Sequence, residues 1–215
     1  LDQKTEWENF CALAGADGVL ILRFSKEENE QWAGRYLSDI AAEMGKEWVD
    51  ALIDLILSEE DSDPSTIYFL MSEDNVELQL ARPWIKFGTD AGGANPDASG
   101  VLTHPRAYGT FPRILGKYVR ERGIMPLEDA VRKMTSAVAN RLSIRDRGLL
   151  RAGYFADVVV FDPETVSDRA TYEQPHQVSV GIPWVVVNGT VVVREGEHTG
   201  ELPGQLLRGP GYRPR

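Results

Sequence analysis

The chain has 215 residues, enough for one large domain or a domain and a half, and its 42% hydrophobic and 26% charged content is that of a globular protein rather than a disordered or fibrous one. No apolar run approaches the ~20 residues needed to span a bilayer, so no membrane partner is expected, and a net charge of −10 argues against nucleic acid. The single cysteine, Cys11, excludes an internal disulfide and a thiolate cluster made by this chain alone.

Cys11 is expected as a small buried hydrophobe. The three histidines, His104, His176 and His198, do not stand at the spacing of a metal motif. No charged-then-apolar leader opens the sequence, so a cytoplasmic protein is expected. Charge is uneven: residues 1 to 80 hold 19 acidic and 5 basic side chains, and the remainder holds 14 acidic and 18 basic. An anionic substrate finds the better field in the second part, while a solvated acidic helical face explains the first equally well.

In chain order, Val19-Leu20-Ile21-Leu22-Arg23-Phe24 reads as a buried parallel strand. Turn and charge signals fill Ser25 to Gly34. Leu37, Ile40, Ala41 and Met44 then recur at helical spacing and Gly45 closes the helix. A second helix, Trp48 to Leu57, places Trp48, Ala51, Leu52, Leu55 and Ile56 on one face. Asp61 to Ser65 is a loop by composition, Ile67 to Met71 suits a short strand, and Ser72 suits the cap of a brief helix reaching Ala81.

Trp84-Ile85-Lys86-Phe87-Gly88-Thr89-Asp90 reads as the end of a buried strand that delivers one carboxylate just past a free-turning glycine. In a barrel of parallel strands that end is where catalysis happens. An Asp in that place also serves as a turn former or helix cap, and both readings stand. A glycine-bearing loop from Ala91 to Thr110 follows, then a helix from Pro112 to Glu121 ending at Gly123, and another opened by Pro126 through Ala130, Val131 and Met134. After about residue 148 the pattern turns to β: Ala156 to Asp162, Trp184 to Val187, an Asn188-Gly189 turn, and Thr190 to Val193. Asn-Gly between two valine runs marks a hairpin, because both turn residues need positive φ. The Gly-, Pro- and Arg-rich tail from Gly196 is expected to run over the surface.

Four local patterns occur in order: Gly88-Thr89-Asp90; His104-Pro105-Arg106-x-x-Gly109-Thr110-Phe111-Pro112-Arg113; Gly153-x-x-Ala156-Asp157 running to Asp162; and Val187-Asn188-Gly189. Together they resemble the C-terminal half of the N-acyl-D-amino-acid deacylases (D-aminoacylases) of the amidohydrolase superfamily. The resemblance implies an α/β plus β fold: residues 1–148 as the C-terminal part of a metal-dependent (β/α)8 barrel, with Val19 to Phe24 as strand seven and Trp84 to Asp90 as strand eight, and residues 149–215 as strands of a small β-sandwich and a tail. It implies a fragment, inactive alone and without a bound metal, whose missing partner is the N-terminal half of the parent chain.

For the intact enzyme the resemblance implies hydrolysis of a small-molecule N-acyl-D-amino acid with a divalent metal, usually zinc, that lowers the pKa of its water and polarises the amide carbonyl. Asp90 matches the aspartate that takes the proton from that water and passes it to the leaving amine, and it is a possible metal ligand. Arg106 and Arg113 suit a bidentate clamp on the substrate carboxylate, or bonds to loop carbonyls. His104 suits the mouth of the site, or a bond to backbone. Tyr68 and Met71 resemble the side-chain pocket, with a plain core role open to both, and Trp184 and Phe161 are assigned to packing. A cyclic-amide hydrolase of the dihydropyrimidinase kind shares the Ala-Asp-Val-Val pattern, and a non-catalytic partner-binding module is the alternative from another class.

Overall fold

The run Val19-Leu20-Ile21-Leu22 is apolar without alternation because both faces of its strand are covered. In the computed structural model, which describes residues 8–59, 64–93 and 102–213, it forms β1 (Val19–Arg23) with four of its five residues buried. Val19 and Ile21 pack with Phe24, Leu37, Ile40, Leu52 and Leu55, whereas Leu20 and Leu22 face Ile67, Tyr36, Leu102 and Tyr172. A strand buried on both sides needs no polar positions.

These residues belong to the first of two units, built from the described residues up to Glu73, from Leu102 to His104, and from Tyr172 to His176. Here α1 (Phe10–Ala14) is capped by Asn9, whose side chain accepts the Ala12 N–H at 3.1 Å. The strands β2 (Arg35–Tyr36) and β3 (Ser65–Tyr68) flank β1 in the order β2-β1-β3, and both pairings are antiparallel. The expected parallel pairing of Val19 to Phe24 is therefore corrected. One crossover helix returns a chain to the start of a sheet and yields a parallel neighbour. Here no such crossover precedes the reversal: the chain already runs opposite to β1 at β2, and after α2 (Leu37–Met44) and α3 (Trp48–Ser58) it returns in the direction of β2 as β3.

The end of α2 falls at Gly45, whose φ of +64° supplies the left-handed turn foreseen from the sequence. On α3 the buried residues are Ala51, Leu52 and Leu55; Ile56, expected on the same face, is exposed. The apolar run Ile67 to Met71 is strand only as far as Tyr68. Glu59, buried after α3, accepts the Ser25 N–H at 2.5 Å and the Asn29 amide at 2.6 Å. Burial pushes its carboxyl up, but the bonds from Asn29, Ser25 and Lys26 outweigh that and hold it below the usual carboxylate value.

The second unit gathers Asp74 to Gly93, Pro105 to Thr171 and Gln177 onward. It follows α4 (Glu73–Leu80) with α5 (Arg106–Arg113), a π-helical continuation (Ile114–Glu121), α6 (Leu127–Met134) and α7 (Ser136–Arg141). The helix expected from Pro112 begins six residues earlier, at Arg106, so the loop expected to reach Thr110 ends at Pro105; residues 94–101 of that loop lie outside the described residues. Pro112 has no N–H to give the Tyr108 carbonyl one turn back, and the Ser179 hydroxyl donates to that carbonyl at 3.1 Å instead. The widened π-helical turns follow immediately after this interruption.

The helix lies close against residues 166–168. A Cβ on Gly116 would stand 2.7 Å from the Val166 carbonyl oxygen, and one on Gly109 would stand 2.9 Å from the Asp168 Cβ. Its apolar side joins Leu80, Phe87, Met125, Ala130 and Val166 in one core.

The C-terminal part is a four-stranded antiparallel sheet: β4 (Val158–Val160), β5 (Trp184–Val187), β6 (Thr190–Arg194) and β7 (Glu197–His198), in that order. Asn188 and Gly189 turn between β5 and β6 at φ +49° and +81°, the hairpin that their residue types dictate. Beyond β7 the tail is irregular and mostly exposed, tied back where the Asn188 amide donates to the Pro203 carbonyl at 2.7 Å.

Candidate active site

Trp84 to Asp90 is not a strand: Pro83 and Trp84 lie in a turn, and Ile85 to Asp90 has no regular structure. None of the described strands pairs with it, so its alternating apolar residues are satisfied otherwise. Phe87 is buried in the helical core with Ile85 packed against it, while Trp84, expected inside, is exposed. The strand expected over Trp84 to Asp90 is thus not formed in this chain. A strand needs a ladder partner for its N–H and C=O groups, and here the segment is held instead by the burial of Phe87, by a turn in which the Ile85 N–H donates to the Arg82 carbonyl at 3.2 Å, and by Arg132, whose guanidinium donates to the Pro83 carbonyl at 3.0 Å.

Phe87 fixes the approach to Asp90, three residues on. Asp90 takes φ +48°, the left-handed region that short polar side chains tolerate better than others. Its carboxylate is 88% exposed and lies 3.0 Å from the Arg106 guanidinium at the first turn of α5. The structure thus brings Asp90 and Arg106 together within the second unit, and Asp90 caps no helix. An exposed ion pair of this kind contributes about 0–1 kcal/mol, so the carboxylate and the guanidinium separate readily for another partner.

Arg113 is engaged differently. Its guanidinium meets the Asp168 carboxylate at 2.9 Å, with Asp168 only 15% exposed. Burial would push Arg113 down, but the bond and charge of Asp168 more than offset it and raise its pKa. Gly109 makes room for Asp168, and Arg113, one turn later, reaches its carboxylate. That pairing gives the Gly109-Thr110-Phe111-Pro112-Arg113 stretch a structural purpose.

In the first unit, Tyr68 is half-buried, its ring 5.6 Å from Phe10 and its hydroxyl accepting the Cys11 thiol at 3.9 Å. Cys11 itself is half-buried. Met71 is exposed, and the His104 and Tyr172 rings lie nearly perpendicular at 5.4 Å, Tyr172 in turn packing on Phe69 at 4.8 Å. Trp184 and Phe161, assigned to packing, differ: Phe161 lies against the helical core, and Trp184 is at the edge of exposure beneath Arg194.

Among the described residues no three His, Cys, Asp or Glu side chains converge as a metal-holding group. Asp90 is the one carboxylate the sequence marks for that role, and it faces Arg106. The donors present do not make a metal site by themselves.

Three residues that the sequence reading passed over organise the second unit. Arg147, 11% exposed, pairs with Asp157, donates to the Asn188 side-chain oxygen at 2.5 Å and stacks 4.1 Å from the Phe155 ring centroid. Asp168 holds Arg113, and Lys133 is wholly buried. The signal for Lys133 was its place beside Ala130 on the apolar side of α6; Asp168 has its partner 55 residues away, and Arg147 has one partner ten residues on and the other 41.

The sequence profile described as "Amidohydrolase family" matches residues 71–193. D-aminoacylase from Alcaligenes xylosoxydans xylosoxydans is 44% identical over 175 residues, covering 81% of this chain and 34% of the relative. N-acyl-D-aspartate deacylase from the same organism is 41% identical, covering 81% of this chain and 33% of the relative. Among solved structures, that of N-acyl-D-glutamate deacylase from Bordetella bronchiseptica, complexed with zinc and a phosphonate mimic of the tetrahedral intermediate, superposes with a TM-score of 0.77 at 39% identity. It is covered over 40% of its length by 94% of this chain. The chain spans about a third of the length of the curated relatives it matches, and with more than half of its residues inside the profile it belongs to the amidohydrolase family.

Proposed function

We propose that this chain is the C-terminal part of a deacylase that hydrolyses the amide of N-acyl-D-amino acids to a carboxylate and a free D-amino acid. Residues 1–148 complete its barrel and 149–215 contribute to a β-sandwich. The observation that carries the reading is the Asp90 carboxylate, exposed at the end of a segment fixed by Phe87 and 3.0 Å from Arg106. Asp90 accepts the proton of the attacking water and delivers it to the departing nitrogen, a two-way task that a carboxylate performs without being consumed. Arg106 leaves Asp90 to receive the substrate's own carboxylate, for which a guanidinium presents matched donors. Arg113 is already held by Asp168, so we assign the clamp to Arg106 first.

A divalent metal, zinc in the Bordetella bronchiseptica structure, would supply water activation in the intact enzyme; Asp90 is a possible ligand, and no group of three donors stands with it among the described residues. Asp90→Asn in the full-length enzyme tests the reading. The amide is nearly isosteric but cannot carry the proton, so kcat for N-acetyl-D-amino acids should fall about 10²- to 10⁴-fold with an unchanged melt. Near-normal turnover would overturn the assignment, because Asn serves a turn about as well as Asp. Faster hydrolysis of a cyclic amide such as dihydrouracil would replace the deacylase by a cyclic-amide hydrolase.

A further inference from the structure

The segment that carries Asp90 has no sheet neighbours among the described strands; a turn at Arg82 to Ile85 and a bond from the Arg132 guanidinium to the Pro83 carbonyl hold its start, and side chains hold the rest. Phe87 is its one buried residue, and Lys133 lies against the face of that ring, its ammonium 5.3 Å from the centroid. The same ammonium donates to the Leu80 carbonyl at 2.5 Å, the last residue of α4, and lies 3.7 Å from the Asp129 carboxylate one turn back on α6. Lys133 is 0% exposed. A buried amine costs stability unless its charge is answered, and here a helix C-terminal carbonyl, a ring face and a carboxylate answer it together. These contacts bracket residues 81–86, from the end of α4 at Leu80 to the ring of Phe87.

We propose that Lys133 is a positioning residue: its ammonium ties the Leu80 carbonyl and the Phe87 ring to α6, and so sets where the Asp90 carboxylate stands. This rests on the reading of Asp90 above. The geometry favours such a role over plain core filling. A methionine would fill the same volume without meeting the Leu80 carbonyl or the ring face.

Two measurements on Lys133→Met and Lys133→Arg test it. In the 215-residue chain, trypsin cleavage after the exposed Lys86 reports on the segment directly, since the preceding Arg82 is followed by Pro83 and resists the enzyme. Cleavage should become about tenfold faster in Lys133→Met at a temperature below the onset of melting, with Lys133→Arg close to the parent chain. In the full-length enzyme, kcat should fall about tenfold or more in Lys133→Met with KM little changed, and Lys133→Arg should recover most of it. If Lys133→Met does not fold, Phe87→Leu is read in its place: it keeps the core apolar but removes the ring face, and the same changes are expected. Parent-like cleavage after Lys86 overturns the proposal, whether kcat falls or not, because a loss of kcat without loosening would not come from this segment. Faster cleavage together with a fully active Asp90→Asn enzyme would keep the anchor and reject the role of Asp90 instead.

Discussion

Replacing Arg147 by Met removes a side chain that joins Asp157, Asn188 and Phe155 in the second unit while preserving an unbranched apolar stem. Two charge-assisted hydrogen bonds disappear, to Asp157 and to the Asn188 side chain, together with the stack on Phe155. Bonds of this kind contribute about 1.5–3 kcal/mol each when one partner is left behind, and the ring contact about 0.5–1 kcal/mol. Two terms run the other way: a guanidinium that is 11% exposed no longer needs desolvating, and its Nε, buried without an acceptor, is no longer an unsatisfied donor. A net loss of about 2–3 kcal/mol remains. Urea unfolding followed by hydrogen exchange of the Val185 to Val193 amides reads the loss where it occurs, and a loss under about 0.5 kcal/mol, the ordinary surface effect, would refute the argument. The pH dependence supplies a second check. Burial raises Asp157, but the Asn188 N–H and then Arg147 outweigh it, so its folded pKa lies below the unfolded one. A depressed carboxyl contributes stability above the unfolded value, roughly 4, and that contribution is lost as pH falls through the folded pKa. The gap between parent and Arg147→Met should therefore narrow below pH ~4.

Gly116→Ala should cost about 1–3 kcal/mol in thermal or urea unfolding, since its Cβ would meet the Val166 carbonyl oxygen at 2.7 Å, whereas Gly204→Ala, with open space around it, should be within about 0.5 kcal/mol of the parent. Glu59→Gln should destabilise the first unit at neutral pH and blunt its acid sensitivity, because the lowered Glu59 pKa gives stability that is present near neutrality and lost as pH falls through the folded value; an unchanged acid limb in circular dichroism would count against it. Elemental analysis of the purified 215-residue chain should find far less than one zinc per chain and no deacylase activity; stoichiometric, chelator-removable zinc with activity would contradict the donor geometry.

Sequence and structure agree where local chemistry decides the backbone. The end of α2 at Gly45 and the hairpin at Asn188-Gly189 were legible because each needs positive φ at a residue type that allows it. They part where a distant partner decides. Ile85 and Phe87 alternate as a strand would, yet their burial is met in the helical core that also holds Ile114 and Leu115, and no ladder forms among the described strands. The early start of α5 was hidden because Gly109 and Pro112 both lower helix propensity, and their reasons lie 59 and 67 residues on, at Asp168 and Ser179. Of the candidate site, Asp90 and Arg106 could be found because they stand in short motifs. Asp168 could not, since its bond to Arg113 spans 55 residues; Lys133 showed only its place on the apolar side of α6, its bond to Leu80 spanning 53, and Arg147 has Asp157 ten residues away but Asn188 only 41 residues on.

The motifs that carry the resemblance divide by what their residues touch. Asp157 and Asn188 come from two separate motifs, and both end on the guanidinium of Arg147, with the Asn188 N–H also donating to Asp157 at 2.9 Å. Gly109 and Arg113 both serve Asp168. Among the motif residues of the second unit, only Asp90 and Arg106 are left with charge directed at each other on an exposed surface. Loss of activity on substituting Arg113 or Asp157 is thus no evidence of contact with substrate. Loss through either should come with a lowered melting temperature and a parallel fall in kcat and in folded fraction, whereas loss through Asp90 or Arg106 should leave the melt in place. Arg106→Lys sharpens the distinction. It keeps the charge beside Asp90 but removes the planar pair of donors, so a clamp on a substrate carboxylate should show as a raised KM, while a mere partner for Asp90 should tolerate the change.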